Sequence, residues 1–298
     1  MSSKDKLKEL LNYSTSLSSS TPQTSTTPGR KLDAAMLDEL MGPDDAHLML
    51  SSMTAIEATE TSGEEREIAF ENLEALVEQI DNAKNLQNLR LWQPVIAQLE
   101  KGDVTCRVGG CAVIATALQN NPVSQADFLT YGEGLAGLLR LFERDESVQV
   151  RRKALFGITA ALRNCPAAQT RFEEIGGWIA LSAFLDAVQD LNMLRRIVFY
   201  LGTLYASSVD LQDGSSAGVS ESVKTGFPPK LVSLLGQPAV QDDEDLSEKL
   251  LYTLAQALKY DADVLNRELK DKLKGHAKMV KQRYGEEFYE GGELEGLL

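Results

Sequence analysis

Two histidines, three cysteines and one island of cations among aromatic residues are the side chains with chemical potential in this 298-residue chain. His47 and His276 stand far apart, which leaves almost no material for imidazole acid–base catalysis or a zinc site. Cys106 and Cys111 lie five residues apart on an expected helix, about 140° around it, and do not form a metal pair. With Cys165 they make an odd count, which fits small buried thiols in a reducing compartment rather than a disulfide framework. No phosphate-cradling G-x-x-x-x-G-K-[ST] and no dinucleotide loop occurs. Gly109-Gly110 reads as a close-packing point inside a helix, Gly176-Gly177 as a helix turn, and Asp242–Asp245 as a solvated acidic run without EF-hand alternation. These residues predict neither an enzyme nor a bound cofactor or metal. The island is different. Arg152, Lys153 and Phe156, with Arg195, Arg196 and Tyr200 further on, bring arginine beside aromatic rings, the composition of a protein–protein hot spot.

The elements that position this island follow from a repeat. Arg151-Arg152-Lys153-Ala154-Leu155-Phe156 recurs in outline 44 residues later as Arg195-Arg196-Ile197-Val198-Phe199-Tyr200. Asn120-Asn121-Pro122 with Gln125 and Phe128 answers at the same offset to Asn164-Cys165-Pro166 with Gln169 and Phe172. Helical repeats of roughly 40–47 residues indicate armadillo or HEAT arrays. The expected fold is all-α, an armadillo-like right-handed superhelical solenoid of about five repeats. Each repeat reads as a long helix, a sharp turn, a short helix, a Gly-containing turn and a medium helix. Ser147 is the expected N-cap of the third long helix, with Val150, Ala154, Leu155, Ile158 and Leu162 on its buried stripe. Off that stripe, the long helices are expected to line a groove with Phe70, Glu74, Ala112, Thr116, Ala160, Leu204 and Thr253 as well as the island.

Three regions are expected. Residues 1–45 form a flexible N-terminal segment, because eleven of the nineteen residues from Asn12 to Arg30 are Ser or Thr, too polar to offset ordering entropy. Residues 46–260 form the repeat domain. Residues 261–298 form a charge-rich capping helix and an acidic tail. The net charge of −14 argues against non-specific nucleic-acid binding, which needs clustered cations, and favours a protein partner with basic patches. Nothing approaches the apolar length of a membrane span. The expected state is a cytoplasmic monomer. A competing class is a general armadillo adaptor holding an extended peptide, but that use calls for repeated groove asparagines, and Thr116, Ala160, Leu204 and Ala257 occupy those positions.

Between the first two repeats, Ile80-Asp81-Asn82-Ala83-Lys84-Asn85-Leu86-Gln87-Asn88-Leu89-Arg90-Leu91-Trp92-Gln93-Pro94 resembles the I-D-N-A-x-N-L-x-N-L-x-L-W-x-P signature of one group. That group is the cytosolic nucleotide exchange factors for heat-shock protein 70: the fungal factor-exchange-for-Ssa proteins and the animal heat-shock-protein-70-binding protein. Met41-Gly42-Pro43-Asp44-Asp45, Gln119-Asn120-Asn121-Pro122 and the opening Lys6-Leu7-Lys8-Glu9-Leu10-Leu11 extend the likeness. The chain departs from the group in a longer Ser/Thr linker and a divergent 208–245 region. The resemblance implies a co-chaperone that grips the nucleotide-binding domain of heat-shock protein 70 and promotes release of ADP and client. It carries over Ala83 and Arg196, with neighbouring Arg195, as contact candidates, and implies that the N-terminal segment mimics a chaperone substrate.

Overall fold

The computed structural model describes residues 44–188, 190–211 and 217–285, with residues 294 and 296. The chain divides into two units, residues 1–43 and 44–298. The first lies wholly outside the described residues, and with it the amphipathic opening, the Ser/Thr linker and the apolar stretch before Gly42. The second is a succession of helices with no strand among the described residues.

A lead helix, α1 (Asp45–Glu57), precedes the first triplet of α2 (Gly63–Val77), α3 (Ile80–Asn88) and α4 (Trp92–Ala97). The next triplets are α5 (Val104–Leu118), α6 (Pro122–Leu129) and α7 (Gly132–Arg144), then α8 (Val148–Leu162), α9 (Pro166–Glu174) and α10 (Gly177–Asp186). The fourth comprises α11 (Leu191–Leu211), α12 (Ala217–Lys224) and α13 (Phe227–Leu234). A four-residue turn of helix, α14 (Pro238–Gln241), leads to α15 (Glu244–Tyr260) and α16 (Arg267–Tyr284). The long helices α2, α5, α8, α11 and α15 pack in sequence, each on the next. The first long helix ends at Val77, earlier than its apolar pattern suggests, because Ile80 opens a separate helix after the extended Gln79.

Local chemistry explains the repeating corners. Asn120 and Asn164 both adopt φ +53°, a left-handed turn that asparagine tolerates better than most residues. Two residues on, Pro122 and Pro166 open the short helices, where a missing N–H costs nothing. Gln125 then donates from Nε2 to the carbonyls of Ala160 and Arg163, at 2.8 and 2.9 Å, and Gln169 donates to Leu162 O at 3.1 Å. The Gln125 amide serves carbonyls at the end of α8 that lack an intrahelical partner, and Gln169 adds a second donor to Leu162 O beside the Cys165 N–H. Ser147 caps α8, and Ser62 and Glu65 form a capping box on α2.

The core is continuous along the array. Trp92 packs on Phe128 and Trp178 on Phe172, both at 5.5 Å between ring centroids. Gly177 is required at the second site, since a Cβ there would lie 2.2 Å from the Phe172 ring. Gly109 serves the same end between long helices: a Cβ would lie 2.2 Å from Cγ of Phe70.

Close packing corrects part of the expected groove. Phe70, Ala112, Ala160, Leu204 and Thr253 are buried between neighbouring long helices. Small residues on one helix let the next approach, so positions off the main stripe are covered too.

Candidate functional site

A recurring brace holds the array together. At each junction an arginine of one long helix reaches an aspartate at the start of the next. Arg66 meets Asp103 at 3.3 Å, Arg107 meets Asp145 at 2.6 Å, Arg152 meets Asp190 at 2.7 Å, and Arg195 meets Asp243 at 2.5 Å. Asp103, Asp190 and Asp243 also cap their helices by accepting backbone N–H groups, and Asp145 accepts the N–H of the cap residue Ser147. Each carboxylate therefore serves a helix N-terminus and a neighbouring guanidinium at once. Burial alone would raise the Asp190 carboxyl, but the Arg152 guanidinium and the Met193 and Asn192 N–H groups outweigh it and hold the carboxyl below its ordinary value.

This brace divides the predicted island. Arg152 is half exposed, with its Nε on Asp190. Arg195 binds Asp243 and Asp245 together and also Asn192. Lys153 reaches back past α5 to Glu74 of α2 at 3.5 Å. Arg196 is not part of the brace. Among the described residues no carboxylate lies within ion-pair distance of it, and its guanidinium carbon sits 4.1 Å over the Phe156 ring. Desolvation against that ring, and then the nearby Arg163 charge, lower its pKa. The residue as a whole stays exposed; only its charged end is set against the aromatic surface.

Two expected contact residues are placed elsewhere. Ala83 is 1% exposed, facing the core of α3 rather than a partner. It shares that face with Asn82, which donates to Asp45 and to the Leu76 carbonyl, and with Leu86. Tyr200 is 2% exposed because its ring stacks on Trp178, 6.3 Å away and tilted by 24°. Its buried hydroxyl nevertheless has no hydrogen-bond partner among the described residues.

Two residues at the centre of the arrangement escaped sequence reasoning. Arg163, at the end of α8, lies 5.1 Å from the Phe199 ring of α11, which is half exposed. The two cation–aromatic pairs thus run crosswise: an arginine of each helix covers a phenylalanine of the other. They enclose a cavity of about 80 Å³ floored by Thr159 and Ala160 and edged by Asn120 and Tyr200. The available signal was spacing, since Arg163–Phe199 and Phe156–Arg196 are each separated by a little less than one repeat.

Comparison with known proteins bears on this arrangement. Residues 7–86 match the family described as nucleotide exchange factor Fes1, and residues 82–225 match the SIL1/FES1/HPBP1 C-terminal domain. An Hsp70 nucleotide exchange factor of Schizosaccharomyces pombe is 32% identical over 262 residues, covering 87% of this chain and 89% of its own. The chain belongs to the Fes1 family. Family members named as Hsp70 nucleotide exchange factors in Yarrowia lipolytica and Debaryomyces hansenii are 40% and 37% identical. These matches cover 60% of this chain, and 64% and 63% of the relatives' own lengths. Among solved structures, a designed armadillo repeat protein in complex with peptide (KR)4 superposes with a TM-score of 0.63 at 15% identity, over 84% of this chain and 97% of its own. Designed armadillo proteins for modular peptide recognition give 0.62 at 16% identity, over 84% and 98%. At such identity the likeness shows the armadillo-like fold of the family and nothing about ligands. No described helix is long and apolar enough to cross a membrane.

Proposed function

We propose that this chain is a nucleotide exchange factor for a cytosolic heat-shock protein 70, acting as a monomer on the chaperone's nucleotide-binding domain. The observation that carries the reading is the Fes1-family match along residues 7–225, joined to relatives named as Hsp70 nucleotide exchange factors. The contact surface assigned to it is the patch of exposed Arg196 and Phe199 with half-buried Phe156, where α8 and α11 carry cations that no described carboxylate neutralises. Arg152 and Arg195 flank it as the braces that fix its shape.

No residue of this chain needs to enter the nucleotide pocket. An armadillo array held at each junction by an Arg–Asp pair is a stiff template. If it fits the opened lobe of the nucleotide-binding domain better than the closed one, binding raises the open population and ADP leaves. Linkage makes the effect reciprocal, so ATP, which favours closure, loosens the exchange factor. Equal affinity for the two states would shift nothing. The N-terminal segment, which belongs to the undescribed residues, is assigned the release of client by mimicking a substrate.

The test is the rate of fluorescent ADP loss from purified heat-shock protein 70 with and without the full chain. Faster loss, together with dissociation of the complex on adding ATP, is expected. An unchanged rate at saturating concentration refutes the function.

A further inference from the structure

The cavity between α8 and α11 is electrostatically incomplete. Arg163 and Arg196 bring two guanidinium groups to one small space, and among the described residues neither has a carboxylate within 4.0 Å. Among the described residues no acidic side chain is placed here, whereas all four junction arginines receive one. Two like charges beside apolar rings repel each other through a poorly screened path. The Tyr200 side chain helps to line the cavity, while its hydroxyl oxygen is fully buried and out of reach of a molecule in that space. Two forked donors and a volume of about 80 Å³ describe a receptor for one small anion.

We infer that this cavity is a carboxylate-binding pocket, in which an aspartate or glutamate of a partner protein is held between Arg163 and Arg196. A carboxylate is favoured over a tetrahedral anion because each guanidinium rests against one phenyl ring, Arg196 on Phe156 and Arg163 on Phe199, which leaves two planar forks for the two oxygens of a carboxylate. The side-chain oxygens then meet donors arriving from two helices, as in a bidentate pair. The inference rests on the functional reading above only in naming the partner as the chaperone; the pocket itself does not depend on it.

Titration with glutarate, at constant ionic strength and without chaperone, tests the pocket directly. The observable is the ¹⁵N spectrum of arginine Nε–H groups, assigned with Arg163→Lys and Arg196→Lys variants. Saturable shifts of Arg163 and Arg196, but not of Arg152 or Arg195, are expected. Arg163→Ala should weaken glutarate roughly tenfold or more. Parallel titrations with inorganic phosphate distinguish the anion class: tighter binding of phosphate overturns the carboxylate assignment. Absence of saturation, or equal small shifts at every arginine, overturns the pocket. With the chaperone present, Arg163→Glu should abolish complex formation at unchanged helicity, and retained binding removes the chaperone as the source of the carboxylate. Failure of ADP exchange by the native chain would leave the glutarate result standing, so the two readings fail separately.

Discussion

Adjacent arginines on α11 should respond oppositely to alanine. Arg195 donates to Asp243 at 2.5 Å and to Asp245 at 2.8 Å, with its side chain 30% exposed and that of Asp243 21% exposed. An exposed ion pair contributes about 0–1 kcal/mol, and a hydrogen bond to a charged group about 1.5–3. Partial burial places Arg195→Ala between these limits, at a loss of about 1–2 kcal/mol. Asp245 keeps Lys249 as a partner and Asp243 keeps its capping role, so neither carboxylate is stranded. For a domain of this size that loss lowers Tm by roughly 2–8 °C. Because a repeat array is stabilised by nearest-neighbour contacts, the loosening should concentrate at the last junction. Amide exchange in residues 244–260 should accelerate more than in 148–162. Arg196→Ala removes only an exposed cation–aromatic contact, worth about 0.5–1 kcal/mol, and relieves repulsion with Arg163, so its net effect should be within about 0.5 kcal/mol. Binding to heat-shock protein 70, measured by calorimetry, should instead collapse in Arg196→Ala and persist in Arg195→Ala below its Tm. A destabilised Arg196→Ala beside an unaffected Arg195→Ala would refute the division into brace and contact.

The depressed Asp190 carboxyl contributes stability above its unfolded value of about 3.9 and loses it as pH falls through the native value. The stability gap between the native chain and Asp190→Asn, from urea unfolding, should therefore be constant near neutrality and close in acid; a gap that widens on acidification has the wrong sign. Gly109→Ala should destabilise by about 1–3 kcal/mol despite alanine's better helix propensity, because its Cβ meets the buried Phe70 ring; a raised Tm would contradict this. Burial pushes the Cys106 and Cys111 thiols up while Cys165 is half buried, so a thiol reagent should modify Cys165 first in the folded protein. Fast labelling of Cys111 would refute that order.

The repeat and its corners were legible because they are local. Asn–X–Pro at 120–122 and 164–166, the capping Ser147 and the apolar stripe of α8 each depend on residues within one turn or one helix. The braces were not legible. Their partners are 37 or 38 residues apart at three junctions and 48 at the fourth, so no fixed offset marks them. Tyr200 was misplaced for a related reason: the helical phase puts it beside Arg196 on the outward side, but Trp178 of the preceding triplet covers it. Ala83 was read as an opening for a partner because it is small. Its size instead lets α3 seat against its neighbours, with the side chain buried among Asn82 and Leu86. Sequence marks which residues are chemically able to make a contact; the adjoining repeat determines which are free to do so.

That distinction bears on how an array can work as an exchange factor. Discrimination between two chaperone conformations requires a template that does not deform to fit both. A solenoid joined only by apolar contacts can slide, since burial is insensitive to small rotations between helices. A guanidinium bound to a helix-capping carboxylate is directional, and it fails when the two helices shift by an ångström. Arg66, Arg107, Arg152 and Arg195 place one such constraint at every junction from α2 to α15. Arg163 and Arg196 meet no carboxylate among the described residues and lie within the same stiffened stretch, between the third and fourth constraints. An anion delivered there is thus held by helices whose separation is already set. The energy of binding it can then be spent on the partner's conformation instead of on reshaping the array.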